Sequence, residues 1–423
     1  MPDSPARQTP FYGYTVAGAA CFCLALVFSV HYAFGVFFKP LSSEFGWTRA
    51  MTAGAFSLVW ISQGLLAFVM GGVNDRFGPR VVLTVCAMLV GAGWLLTSQL
   101  TELWQLYLYY GVIVGAGLGG TFVPLTSTTA RWFVARRGLM TGIVTAGVGI
   151  GTFIGPPVAT WIISTYSWRA GYLILGTVVL VGTAAAAQLL VRDPRQRGQR
   201  PLGDDGPSHA TDVAGLELRE ATASRAFWTA CAAFFCYGFS LSAILLHLAP
   251  HATDLGLSAG TAAALLSTIG AASVAGKILL GMVSDYVGYK QVFVVSFLLM
   301  AVSLLMLVPA RSAVLLYTFA AVFGLAYGGL ATAHSPLVAW LFGLRRHGRI
   351  FGLSFNGWTV GCAVGPLVAG YLFDTQASYQ LAFLLCAASA ALGFLVTLSL
   401  QPAAQGLRAA PSVPLRPAGV AAE

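Results

Sequence analysis

GGVNDRFGPR, Gly71–Arg80, and GMVSDYVGYK, Gly281–Lys290, stand 210 positions apart, each between two long apolar runs. At that offset Gly71, Asp75 and Gly78 fall on Gly281, Asp285 and Gly288. Further along, Gly138, Gly142, Gly151, Gly155 and Pro156 fall on Gly348, Gly352, Gly361, Gly365 and Pro366. Several independent matches at one offset mark a chain built from one unit used twice.

Composition says what the unit is made of. Of 423 residues, 57% are hydrophobic and 9% charged, whereas soluble domains carry roughly 25% charged residues. Apolar runs of about 20 residues cross a bilayer as helices, because backbone groups in hydrocarbon must bond within their own segment. Twelve runs occur, centred near Ala25, Ser62, Val90, Gly115, Gly151, Leu180, Tyr237, Ala271, Met300, Tyr327, Gly361 and Ala390. After the sixth, Arg192–Arg225 breaks the rhythm with six Arg and six acidic residues and reads as a solvated linker. The expected organisation is an all-α membrane protein with twelve transmembrane helices in two pseudo-symmetric six-helix bundles, 14–191 and 226–400. The linker 192–225 joins them, and 1–13 and 401–423 form cytoplasmic end segments. The first run is too long for a signal h-region and lacks a small-residue cleavage site, so it reads as an uncleaved span.

The net charge of +9 is distributed unevenly. Eighteen of the 23 Lys and Arg lie on the side of the termini and linker; Lys39, Arg49, Arg169 and Arg311 lie on the other, and Lys277 lies inside a span. The positive-inside rule then places both termini in the cytoplasm of a cell membrane. The basic excess is accounted for without nucleic acid. All seven cysteines sit in apolar runs without converging ligands, which suits packing and not a metal site. GAASVAGKI, Gly270–Ile278, has five residues between its glycines and Ile after the Lys, so it fails the phosphate-loop pattern. No nucleotide, cofactor or metal is expected. No nucleophile–base cluster suggests an enzyme.

Asp75 and Asp285 end spans 2 and 8 on the side where spans 5 and 11 begin. Helix starts carry partial positive charge, so each carboxylate can dock on the opposite half, with Arg76, Arg80, Arg131, Lys290 and Arg346 nearby. A hydrophilic turn that merely fixes topology would explain one copy as well; the paired copies favour a cytoplasmic gate.

Lys277 lies about eight residues before Asp285, which at 1.5 Å per residue is roughly 12 Å from the helix end and near the middle of a ~30 Å core. That is too deep for snorkelling. Ionisable groups at such depth are costly and face water-filled cavities. None of the 14 Asp and Glu lies deep in a span, so the buried cation suits an anionic cargo. Proton-coupling candidates are Lys277, His31, His247 and His334; His251 lies nearer the outer end. The substrate-binding candidates are Lys277, His31, Tyr32, His247, Tyr327, Asn356 and Trp358. They would supply a charge partner, donors and an apolar wall, although each aromatic or His also suits plain packing.

GGVNDRFGPR resembles the loop 2–3 signature of the major facilitator superfamily. RWFVARRGLMTGIVTAGVGIG, Arg131–Gly151, resembles the span-5 signature of monocarboxylate transporters and their bacterial relatives. TPFYGYTV and HYAFGVFFKPLSSEFGWTR, His31–Arg49, resemble the first span and loop of the same bacterial group. The resemblance implies transport of small carboxylates, often with a proton, by a monomer. It also implies an Arg where Lys277 stands; Lys offers a point charge without the bidentate fork. The expected function is proton-coupled transport of a lactate- or pyruvate-like acid by alternating access. The alternatives are an organic-anion exchanger of the oxalate–formate type, multidrug efflux, and a metabolite sensor that does not transport. The oxalate–formate resemblance implies a second cation in span 11, which the sequence lacks.

Overall fold

The computed structural model describes residues 11–133, 137–203, 215–343 and 345–403, with side chains excluded at positions 68, 69, 71, 72, 75, 137, 138 and 285. Twelve long helices run through the described residues. The first half contains α1 (Gly13–Phe45), α2 (Arg49–Phe77), α3 (Pro79–Thr97), α4 (Leu103–Trp132), α5 (Arg137–Thr165) and α6 (Trp168–Ala187). The second contains α7 (Arg225–Asp254), α8 (Ala259–Val287), α9 (Tyr289–Leu307), α10 (Ala313–Phe342), α11 (His347–Gln376) and α12 (Gln380–Ser399). Stretches long and apolar enough to cross a membrane occur in all but α11, whose 30 residues include Arg349, Asn356 and Asp374. The expected all-α architecture of two six-helix bundles is borne out. One end of the molecule carries the start of α1, the linker and the end of α12; we call it the terminal end, and its opposite the far end.

The two opening stretches share one local job. Gly78 (φ 82°) and Gly288 (φ 96°) each close one helix and cap the next. Each amide donates four residues back, to the Asn74 carbonyl at 2.9 Å and the Ser284 carbonyl at 3.0 Å. A backbone at positive φ favours glycine, which explains its recurrence at this one-residue turn. At the far end, hydroxyl caps start α2, α6, α8 and α10. Thr48, Ser167, Ser258 and Ser312 accept from the amides of Met51, Ala170, Thr261 and Leu315, satisfying donors that a helix start leaves open.

The repeat is visible in the packing. Gly147, Gly151 and Gly155 of α5 lie on the α1 backbone at Cys21, Ala25 and Ser29. Gly357, Gly361 and Gly365 of α11 lie on the α7 backbone at Cys231, Phe235 and Phe239, each 210 positions later. Membrane helices gain little from burying apolar surface against each other, so such small-residue faces supply the close packing that joins them. Between halves, α5 meets α8 where Gly149 faces Ser273 and Val274, and α2 meets α11 where Gly64 faces Thr359. Pro157 lacks the N–H that would bond the Phe153 carbonyl. The Ser267 hydroxyl of the other half donates to that carbonyl at 2.7 Å.

Candidate functional site between the halves

Lys277 is carried by α8 and is only 9% exposed. Its Nζ donates to the Thr145 carbonyl of α5 at 3.4 Å and lies 5.3 Å from the Tyr327 ring centre. Among the described residues no carboxylate pairs with it. An ammonium carries three donors, and a long bond to one carbonyl plus an aromatic face leaves it ready for an anion. Its helix is held by a close crossing: a Cβ at Gly328 of α10 would meet the Ser273 carbonyl, and the Lys277 amide at 2.7 Å. We predict that Gly328→Ala shifts α10 off α8 and displaces the ammonium. Substrate KM should rise while the expressed amount stays near normal, as measured by concentration-dependent uptake.

From Tyr327, beside the ammonium, runs a circuit of rings drawn from both halves. The Tyr32 and Tyr327 side chains face each other across the two halves. Tyr327 lies 6.4 Å from Tyr237, Tyr237 lies 6.4 Å from Trp358, and Trp358 lies 4.9 Å from Trp60, centre to centre. Trp60 is 5.1 Å from His31, which returns to Tyr32 at 5.0 Å. The Nε2 of His31 and both indole nitrogens are buried without hydrogen-bond partners among the described residues. Such groups cost about 1–3 kcal/mol each when left unpaired. A polar cargo or water in the circuit would satisfy them.

The structure thus brings together Lys277, His31, Tyr32, Tyr327 and Trp358 from the expected set. It does not gather the others. Asn356 is exposed and its amide turns back to the Leu353 carbonyl of its own helix at 3.2 Å. His334 is buried among Phe234, Phe351 and Phe355 and touches only the margin of the circuit, 6.2 Å from Tyr237. His247 lies toward the far end beside Tyr379. Tyr237 and Trp60 belong to the circuit and were not anticipated. Their signal is present in the sequence: each is an aromatic in the middle of a span.

The two ends differ. At the far end Arg49 of α2 binds Asp254 of α7 at 2.5 Å and lies 3.5 Å over the Phe373 ring of α11. The amides of Arg49 and Ala50 donate to both oxygens of Asp374 at 2.8 and 2.7 Å, and Lys39 reaches Asp254 at 3.2 Å. This latch joins the halves. Toward the terminal end, Gly142 and Gly352 sit seven residues, two helical turns, before Gly149 and Thr359, so they share the faces that meet the other half. Nothing stands within 4 Å of a Cβ added at either. The halves are latched at the far end, whereas among the described residues the terminal-end faces at Gly142 and Gly352 are open.

The expected terminal-end gate falls partly outside the described residues, which exclude the side chains of Asp75 and Asp285. Arg76 is exposed over the Phe77 ring and Arg80 is exposed. Arg131 ends α4. Lys290 donates to the Leu398 and Leu400 carbonyls at 2.8 Å within its own half. Arg346 donates to Glu217 of the linker at 3.0 Å, with Arg345 at 3.3 Å from the same carboxylate. The hydrogen bond from Arg346, with the charges of Arg345 and Arg349, holds the Glu217 carboxyl below the usual range.

Two six-helix repeats, latched at one end and holding a buried cation where they meet, define a membrane transporter for a small molecule. The chain belongs to the Major Facilitator Superfamily, whose model matches residues 20–275 and 230–419. Among curated proteins it is similar to monocarboxylate transporter 13 of Rattus norvegicus, at 29% identity over 407 residues, 92% of this chain and 89% of that protein. Monocarboxylate transporter 12 of Rattus norvegicus is 29% identical over 399 residues, 87% of this chain and 81% of that one. The expected likeness to monocarboxylate transporters is borne out. Among solved structures, a bacterial homolog of the human lysosomal transporter Spinster, inward-facing and unoccupied, superposes with a TM-score of 0.70 at 15% identity, covering 94% of this chain and 97% of that one. A nucleoside transporter superposes with a TM-score of 0.70 at 15% identity, covering 92% and 99%. These two likenesses concern the fold.

Proposed function

We propose that this protein carries small monocarboxylates of the lactate or pyruvate kind together with a proton, by alternating access, in a cell membrane with the terminal end facing the cytoplasm. The observation that carries the reading is Lys277: a buried ammonium between the halves without a carboxylate partner among the described residues. The cargo carboxylate pairs with that ammonium, and the rings of the circuit pack its carbon tail. Support for the substrate class comes from the names of the relatives. Support for the orientation comes from the basic excess at the terminal end. Each chain holds a complete site, so a monomer suffices. When the cargo moves, the latch around Arg49 opens and the terminal end closes, with Asp75 and Asp285 docking on the helix starts across the gap.

Purified protein in liposomes tests the mode. With an acid exterior, a neutral interior and no counter-substrate, labelled lactate or pyruvate is expected to accumulate inside well above its level without the pH step. Accumulation only into vesicles preloaded with unlabelled acid would instead identify an exchanger.

A further inference from the structure

His247 lies outside the circuit around Lys277, fully buried, yet both its ring nitrogens are engaged. Nε2 is 2.9 Å from the Pro366 carbonyl and Nδ1 is 2.9 Å from the Tyr379 hydroxyl. A carbonyl only accepts, so Nε2 carries the proton and Nδ1 is the acceptor. Tyr379 therefore donates to Nδ1, and its oxygen accepts from Arg49 Nη1 at 2.5 Å. Every donor in this chain has one acceptor, and the chain ends on the arginine that latches the far end through Asp254 and Asp374.

We propose that His247 is a proton-binding site governing that latch: the neutral imidazole holds the far end closed, and the imidazolium releases it. A proton on Nδ1 would face the Tyr379 hydroxyl, which must then turn its own hydrogen away while accepting from two cations. Arg49 and the imidazolium would repel each other across one phenol. The other charged groups around His247 are placed as follows. Asp374 of α11 is engaged by the amides of Arg49 and Ala50. Asp254, on the same helix as His247, is shared by Arg49 and Lys39 of α1. Arg311, before α10, donates to the Ala310 carbonyl at 3.1 Å and acts electrostatically on His251. From α1 the near neighbour of His247 is the Phe38 ring at 5.3 Å. Among the described residues no carboxylate hydrogen-bonds to the imidazole; the charge of Asp374 attracts a second cation there, and that of Arg49 repels it. In the opened state water replaces these contacts and the imidazole regains an ordinary pKa near 6.5. Proton uptake below that value then pulls the equilibrium toward the open far end. The device concerns the gate and is independent of which acid is carried.

The test places spin labels at Ser43→Cys on α1 and Thr375→Cys on α11, both exposed, with the half-buried Cys21 and Cys231 changed to Ser. The full chain in lipid nanodiscs is measured by pulsed electron–electron resonance at pH 8 and pH 5.5. The ratio of long to short distances should rise by up to about tenfold at the lower pH, the factor for an imidazole titrating near 6.5 in the open state alone. His247→Gln, which can still donate to Pro366 and accept from Tyr379, should hold the short distance at both pH values. Tyr379→Phe should give the same distribution at both, and His251→Gln should respond like the parent. An unchanged distribution in the parent, or a pH response surviving in His247→Gln, overturns the proposal. Should the glutamine variant fail to fold, a response surviving in Tyr379→Phe overturns it equally.

Discussion

Replacing Lys277 with Gln should abolish transport while leaving the protein as stable as before or more so. Truncating one partner of a buried, hydrogen-bonded charge pair costs about 2–5 kcal/mol, which at 1.4 kcal/mol per decade is roughly a 30-fold or greater loss of affinity. The carboxylate would be the group left unpaired, so the loss should appear in cargo binding. Folding should respond in the opposite sense. In the cargo-free protein the ammonium is desolvated and receives one long bond to Thr145 and the Tyr327 face in return. Removing a charge that lacks a counter-ion relieves a desolvation penalty. Thermal melts of the purified variant should therefore match or exceed the parent, while labelled-acid uptake disappears. Lys277→Arg should keep partial activity with altered preference among acids, since the planar fork is larger and binds carboxylates bidentately. Normal uptake by Lys277→Gln would remove the ammonium from the mechanism. A lower melting temperature would show that it pairs with the protein itself.

Much of this architecture is legible in the sequence, because hydropathy and repeat are both written at short range. Spans are contiguous, and the doubled glycines Gly78/Gly288, Gly151/Gly361 and Gly155/Gly365 mark positions where a turn or a backbone crossing admits no side chain. Lys277 is legible for the same reason: a single charge in an apolar run stands out. The far-end latch is not. Arg49 meets Asp254 and Asp374 across 205 and 325 positions, and nothing local to any of them encodes the pairing. The partners of His247 are likewise hidden. Its depth in span 7 places it among the cargo-site and proton-coupling candidates alike, whereas its ring is held by Tyr379, a residue before α12 that no periodicity connects to it. Trp60 and Tyr237 show a related limit. Which mid-span aromatics face the partner half depends on helix rotation, and α2 and α7 have no strong polar face to reveal it.

The repeated glycines permit a prediction in which two helices act as their own controls. A Cβ at Gly151 would meet the Ala25 carbonyl, and the Ser29 amide at 2.7 Å; one at Gly361 would meet the Phe235 carbonyl, and the Phe239 amide at 2.8 Å. These neighbours are backbone and cannot swing aside, so valine must push α1 from α5, or α7 from α11. We expect Gly151→Val and Gly361→Val each to destabilise by about 3 kcal/mol, at the upper end of overpacking costs. Folded yield in detergent should fall, and the remaining protein should melt earlier. Gly142→Val and Gly352→Val, on the same two helices but facing open space, should melt like the parent. Their faces point toward the opposite half, so the added methyls stand where the halves must meet when the terminal end closes. Transport by these two should slow despite the intact fold. Because each pair is related by the offset of 210, the partners should rank together. A melt of Gly142→Val as low as that of Gly151→Val would mean that the gap at the terminal end is already filled in the resting protein.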